Sequence, residues 1–326
     1  MTLQILEHAL FSDGKSYDLW WSLLSRMERY SFFHTPRWAE LLANTLPDWR
    51  PCHLWFRFSD GTEAVLPLFA IHKQFGTSKL ESLPWGTYGG LVSPDSLSWD
   101  HYRQAATEWL SLFRPVCHFL LSPADYARFR PSILADPTVK TQERCTHILP
   151  LNRPFEEIWS RRFQPRNRTN IRRAQAQGVR AEWSNSREAV LAMKQLYQRA
   201  THRWEGVETI PEQFFDTLVD LPGEEVRIWL AWKDDALLAG NLVFSGKGEA
   251  QYFAGASDER FTQFHGSKWL MSEIIRDACE RGFSYFNFGG SGGLAGVEQF
   301  KRIFGGEAVP YASITWRHPI ARWLSR

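Results

Sequence analysis

Three segments of this chain bring together residue types that can do chemistry. The first is 287-NFGGSGGLAGVEQFKRIFGG-306, in which five of the eight residues from Gly289 to Gly296 are glycine. Such a run lets the backbone approach a ligand closely. Lys301 follows on a short predicted helix, where a cation stabilises a developing oxyanion or binds a pyrophosphate. The second is 258-DERFTQFHGSKWL-270, between a predicted strand and a predicted helix. Free amides at a helix N-terminus bind phosphate, with Ser267 or Gly266 as the cap, and the same stretch also reads as an ordinary capped loop. Asp258 and Glu298 are the carboxylates available to take up a proton. The third is 161-RRFQPRNRTNIRRAQAQGVR-180, with no acidic residue between Arg161 and Arg180. Arg168 and Arg172 lie one helical turn apart, as do Arg162 and Arg166, and guanidinium forks match phosphate oxygens. The same run also reads as a solvated arginine face.

Other chemistries have less support. Ser291 lies in Gly-Gly-Ser-Gly-Gly after a predicted strand, but no strong helix follows as a nucleophile elbow requires. The ten histidines show no metal-ligand spacing. Cys52, Cys117, Cys145 and Cys279 are far apart, with neither a Cys-x-x-Cys pair nor a disulfide framework, which points to a reducing cytoplasm. Phosphate-binding glycine loops are absent: Gly296 is not followed by Lys-Ser/Thr, and the spacing is not that of a dinucleotide fingerprint.

The elements that must position these residues follow from 326 residues, long enough for two domains. The charge balance of 38 basic to 36 acidic side chains, with 44% hydrophobic residues, excludes a disordered chain. No apolar run is long enough for a membrane span. The near-neutral total hides the arginine segment: residues 151–181 hold eight Arg against two Glu. Helices are expected at 16–29, 36–45 and 98–113, with strands at 51–58, 63–72, 116–121 and near 144–149. In the second half, helices are expected at 154–177 (broken at Pro165), 187–203, 211–220, 267–281 and 297–303. Strands at 225–232, 237–245 and 250–256 form an antiparallel meander, followed by strands at 283–288 and 308–316. Both halves read helix, meander, helix, strand, which gives an α/β (α+β) chain of two similar modules, 1–150 and 151–326. Sixteen Trp are read chiefly as core; Trp85, with Tyr88 in the glycine turn 83–95, and Trp204 are the aromatic candidates for a substrate groove. The C-terminal WRHPIARWLSR either touches an anionic membrane surface or packs back onto the domain.

In order along the chain, FFHTPRWAELL, SLPWGTYGGLV, NRTNIRRAQAQGV, QYFAGASDER and FSYFNFGG with GVEQFKRIFGG resemble the FemAB-like group of the GNAT superfamily. The resemblance spans nearly the whole chain and is most specific at Phe300-Lys301 and Phe304-Gly305. It implies two tandem GNAT-like domains, each a mostly antiparallel sheet flanked by helices, and transfer of an acyl or aminoacyl group onto an amine. The best-known members take amino acids from aminoacyl-tRNA and build peptidoglycan bridges on a nucleotide- or lipid-linked muropeptide. By resemblance, Phe300-Lys301 match the family's Phe-Lys pair, Tyr252 a substrate-site tyrosine, and Thr201 and Arg203 a Thr-x-Arg that holds the acceptor's phosphates. The chain departs from the pattern at Trp38, which no lysine follows, at Asn287, where many relatives carry Asp, and in having no coiled-coil insertion. Segment 263-QFHGSK-268 partly matches the acyl-CoA loop of GNAT enzymes, though it ends in Lys268, and the resemblance makes Gln263, Gly266 and Ser267 the donor-binding candidates. Short relatives of this kind are often linked to exopolysaccharide gene clusters.

The expectation is therefore an N-acyl or aminoacyl transferase with no tightly bound cofactor, acting on a phosphate-bearing or lipid-linked envelope precursor. The donor is aminoacyl-tRNA, or alternatively acyl-CoA or an acyl carrier protein. A non-catalytic RNA- or membrane-surface-binding scaffold is the remaining alternative. Lys301, Tyr252 and Asp258 are the expected catalytic residues, and Phe300, Thr201, Arg203, Arg168, Arg172, Trp204, Trp85 and Tyr88 the expected substrate contacts.

Overall fold

The structure, a computed structural model, describes residues 3–11, 14–72, 78–113, 116–202 and 209–317. Arg203, Trp204 and the basic residues 318–326 lie outside them. The chain divides into two compact units, Met1–Cys145 with Pro310–Arg326, and Thr146–Val309. Where the sequence places one boundary at 150/151, the units change at 145/146 and again at 309/310, so the C-terminal stretch belongs with the first unit.

The first unit holds β1 (Ile5–Phe11), α1 (Gly14–Arg26), α2 (Pro36–Thr45), β2 (Trp49–Pro51), β3 (His53–Phe58), β4 (Glu63–Leu66), β5 (Phe69–His72), β6 (Ser78–Glu81), α3 (Trp99–Phe113), β7 (Val116–Leu121) and α4 (Pro123–Ala135). Helix α2 starts where expected because the Thr35 hydroxyl accepts from the Trp38 amide and Pro36 occupies the first turn. The strand expected over 63–72 is two strands, interrupted at Pro67, and the one expected over 51–58 likewise breaks after Pro51. Two three-stranded antiparallel sheets result, β1-β3-β4 and β2-β5-β6. Their core gathers Phe56, Phe58, Trp99, Tyr102, Trp109 and Phe119.

β8 (Val139–Pro150) leads into the second unit. There follow α5 (Phe155–Arg161), α6 (Pro165–Ala176), β9 (Arg180–Trp183), α7 (Arg187–Thr201), α8 (Glu212–Asp216), β10 (Val226–Lys233), β11 (Ala236–Ser245), β12 (Glu249–Ser257), α9 (Gly266–Glu280), β13 (Tyr285–Gly290) and α10 (Ala295–Arg302), before β14 (Glu307–Arg317) returns to the first unit beside β7. Strands β10 to β12 form the expected antiparallel meander, and β9, a strand not expected from the sequence, extends it beside β10. β13 then joins β12 in parallel and β8 antiparallel. A parallel neighbour needs a crossover, which α9 provides. Its apolar side, Leu270, Met271, Ile274 and Ile275, is buried with Ile171 and Ala174 of α6 in one core.

Two irregularities in this sheet position the site. The β12–β13 pairing is confined to Glu249–Gln251 against Tyr285–Asn287, although both strands run on. Just beyond that point, the β11–β12 register slips between Leu242/Ala254 and Val243/Tyr252, leaving Phe253 as an extra residue. Strand β13 slips against β8 between Asn287 and Gly290, where Gly289 takes a φ of 70°. A bulge bends its strand, so two bulges at the last shared pair part β12 from β13.

Candidate active site

Lys301 closes this opening from α10. Its side chain is buried at 1% exposure, and its Nζ donates to the carbonyls of Gly289 and Gly290, both at 2.7 Å. The sequence alone allows an ordinary surface lysine, and burial removes that reading. The turn it grips is fixed from the other side: the Asn287 Oδ1 accepts from the Gly289 amide and from the Thr146 hydroxyl, each at 2.9 Å. Glycine is required at 289, since φ is positive and a Cβ there would lie 3.3 Å from the Tyr252 carbonyl. Asn287 supplies both acceptor contacts through its oxygen, so amide and carboxylate serve the turn equally at this position.

The loop after α10 is fixed with similar economy. Gly305 has φ 86°, and a Cβ on it would sit 2.6 Å from Arg162 Cβ and 2.9 Å from the Arg162 carbonyl. Phe304 fills the core against Phe163, and Phe300 lies edge-on to Phe304. Phe300 is thus partly buried packing that backs Lys301.

Tyr252 stands at the last residue before the β12 bulge. Burial, and then the neighbouring Tyr197 phenol, push its hydroxyl well above the usual tyrosine value, so it stays protonated as a donor. Asp258 is differently placed from its expected role. Its carboxylate accepts from the Arg260 backbone amide and side chain, and this hydrogen-bonded partner holds it below the ordinary aspartate value. A carboxylate committed in that way is a poor proton acceptor.

A pocket of about 310 Å³ opens at the head of α9, lined by residues including Ser257, Asp258, His265, Gly266, Ser267 and Lys268. Two of the three expected donor-binding residues, Gly266 and Ser267, line it; Gln263 does not and is exposed. Gly266 also has a packing reason, because a Cβ would meet Leu238 at 2.7 Å. The first amides of a helix have no partner within it, and no side chain caps this one. The charge around it is positive. Burial, and then Arg166, lower the Lys268 ammonium; burial, then Lys268 and Arg173, lower the His265 imidazole.

The arginine segment therefore contributes, but through other members than expected. Arg168 Nη1 donates to the carbonyls of Trp159, Ser160 and Phe163, tying it to the C-terminal end of α5. Arg172 lies over the Trp159 ring and Arg162 pairs with Glu307. Arg166 and Arg173 are the members whose charge is felt at the head of α9. Thr201 caps its own helix, donating to the Gln198 carbonyl. Trp85 and Tyr88 belong to the first unit, against Trp38 and Tyr311 respectively.

One buried polar residue near Lys301 had no sequence signal. His147 on β8 is buried at 1% exposure, with Nε2 3.9 Å from the Glu298 carboxylate and the Lys301 charge nearby. A lone histidine in a strand reads as core, and its neighbours come from residues some 150 positions later.

With this geometry in place, the relatives are informative. Residues 161–302 match the family model described as acetyltransferase (GNAT) domain. The structure of FemX superposes with a TM-score of 0.72 at 15% identity, covering 98% of this chain and 100% of that one. The C-terminal domain of a putative lysylphosphatidylglycerol synthetase from Agrobacterium fabrum gives 0.58 at 12% identity, over 95% and 94%. A tandem GNAT protein from the clavulanic acid biosynthesis pathway gives 0.53 at 11%, over 97% and 98%. No curated protein matches in sequence. Residues 161–302 thus carry the match to a GNAT acetyltransferase domain, and the chain as a whole shares the fold of FemX and of the tandem GNAT protein.

Proposed function

We propose that the protein transfers an aminoacyl group from aminoacyl-tRNA to an amine of a phosphate-bearing cell-envelope precursor, a peptidoglycan muropeptide or an exopolysaccharide amino sugar. The observation that carries this reading is the pairing of two features on β12. At one end is the basic, amide-lined pocket at the head of α9. At the other is buried Lys301 with its glycine turn. Tyr252 and Ser257 are five residues apart, about 17 Å along an extended strand. A donor whose phosphates sit at α9 reaches Lys301 by laying its activated end along the opening between β12 and β13.

The amine nitrogen bonds to the acyl carbon, the bond to the donor oxygen or sulfur breaks, and one proton leaves the amine. The enzyme's share is alignment and stabilisation of the oxyanion. Lys301 supplies positive charge in a water-poor site, and Tyr252 supplies a neutral donor. Arg166, Arg173 and Lys268 hold phosphate. FemX and the lysylphosphatidylglycerol synthetase domain support an envelope acceptor through fold and name only. Among the described residues no helix is long and apolar enough to cross a membrane.

A second reading keeps the chemistry and takes acyl-CoA as donor, favoured by Gly266 and Ser267 at the pocket in the partial acyl-CoA loop. The test supplies the purified chain with labelled aminoacyl-tRNA or labelled acetyl-CoA, each with a UDP-linked muropeptide and an amino-sugar acceptor. Labelled amide product from the tRNA arm is the expected result. Product only from acetyl-CoA replaces the donor. Salt-sensitive tRNA retention without product in either arm leaves a binding scaffold and overturns the enzymatic reading.

A further inference from the structure

Gly255 on β12 has no backbone reason to be glycine. Its φ lies outside the left-handed region, so other residues could adopt the same conformation. What leaves no room for a side chain is a pair of polar ends. A Cβ at this position would lie 2.3 Å from Asn241 Oδ1 and 2.3 Å from the Tyr252 hydroxyl. Asn241 is the β11 residue paired with Gly255, and Tyr252 stands just before the β12 bulge. Asn241 is buried at 5% exposure, yet neither its amide nor the Tyr252 hydroxyl makes a hydrogen bond among the described residues. Nor is either end sealed off as the His147 ring is. A buried amide left unmet is costly, and such groups are rare without a reason. Gly255 also lies on the stretch of β12 beyond its last pair with β13, between Tyr252 and Ser257. The two free ends therefore stand along the line from the pocket at the head of α9 to Lys301.

We propose that Asn241 and Tyr252 together recognise the α-amino group and the carbonyl of an aminoacyl ester, and so set the choice of group transferred. The inference rests on the aminoacyl-transfer reading above. An aminoacyl ester carries its nitrogen and its reacting carbonyl on adjacent carbons, a spacing that suits two side-chain ends meeting over one Cα. The Tyr252 O–H donates to the carbonyl oxygen. Asn241 Oδ1 accepts from the α-amino group, which brings the N–H donor that the amide lacks. Gly255 lets the two ends converge. An acyl group without the amine leaves the Asn241 oxygen unmet, and a site built around a hydrogen bond discriminates strongly against the analogue that lacks it. Asn241 takes part in no bond change and is a specificity-determining residue.

The test uses the full chain, the UDP-linked muropeptide and amino-sugar acceptors, and three donors. These are aminoacyl-tRNA, the same tRNA esterified with the acid lacking only the α-amino group, and acetyl-CoA. The wild type is expected to favour the amine-bearing ester about 100-fold in kcat/KM over its deaminated analogue. Asn241→Leu keeps the volume and removes the acceptor, so that preference is expected to shrink about tenfold or more. Gly255→Ala has only the flexible ends of Asn241 and Tyr252 to displace, so it folds and shows the same loss of preference. It serves as the second measurement if Asn241→Leu does not fold. A wild type indifferent to the missing amine, or variants that lose activity equally with both esters, overturns the recognition role. Product from acetyl-CoA alone, or from no donor, overturns the aminoacyl-transfer reading itself, which is a different result.

Discussion

A lysine ammonium shut away from water holds its charge where oxygen atoms replace the lost hydration, and at Lys301 two glycine carbonyls do so. The same bonds make it the clamp of the Gly289–Gly290 turn. Removing that partner leaves both carbonyls unmet, which costs about 1–3 kcal/mol. Lys301→Met is therefore expected to lower unfolding free energy by about 1–3 kcal/mol, while turnover falls at least ~100-fold. Urea unfolding alongside single-turnover transfer separates the two. A variant that keeps its turnover removes Lys301 from the mechanism. At this scale the sequence was informative about types and less so about individuals. It marked the arginine segment but picked Arg168 and Arg172, whose guanidinium groups cap α5 and cover Trp159. Helical spacing shows which arginines share a face, not which face meets another helix. Arg166 and Arg173 became distinguishable only once α6 was packed against α9.

Elements decide whether these side chains meet. The opening between β12 and β13 depends on Phe253 and Gly289, bulges with no period-2 signature to betray them. The Phe304-Gly305 turn, by contrast, stood out through the family resemblance, and its glycine takes the left-handed φ that follows a helix end. Gly305→Ala places a Cβ into Arg162 at a left-handed φ, and a destabilisation of about 2–4 kcal/mol is expected. Thermal unfolding of the purified variant gives the value, and a loss under about 1 kcal/mol would show that α5 gives way freely. At the head of α9, positive charge and free amides stand together, and under the proposed function both meet the donor's phosphates. Arg166→Ala with Arg173→Ala is expected to raise donor KM about tenfold with kcat little changed, since uniform binding is lost. The salt dependence of tRNA binding should flatten in parallel. A kcat loss with unchanged KM would instead place these arginines at the reacting centre.

Across the whole molecule, the two-module reading came from a repeated order of elements, while the missing pieces have plain causes. Pro131 disguised α4 as a break, though Ser122 caps it and Tyr126 and Phe129 bury its inner face. In β1, Leu6 and Leu10 are exposed beside partly buried Ile5, so apolar residues fall on both faces and the alternation is lost. Half of the described tryptophans are core, with Trp20, Trp38 and Trp109 fully buried, and the rest are partly or largely exposed. The first unit also holds two histidines whose effect is global, His53 fully buried and His34 half-buried. Burial lowers His34 to about 4 and His53 to about 3, and the His53 Nδ1 accepts from the Leu68 amide, which a proton would prevent. Both folded values lie below the unfolded value of about 6.5. The unfolded chain therefore binds more protons once pH falls below that value. Their contribution is complete above it and is lost as pH drops toward 4 and then 3. At about pH 5 each histidine is expected to cost about 2 kcal/mol relative to neutral pH. Asp125, raised by burial, works in the opposite direction as it takes up a proton. Urea midpoints at neutral pH and near pH 5 measure the difference. His53→Asn keeps an acceptor near the Leu68 amide and cannot titrate, so its acid loss should be smaller than wild type by about 2 kcal/mol. Equal losses in the two proteins would mean that His53 takes up its proton without unfolding the strands around it.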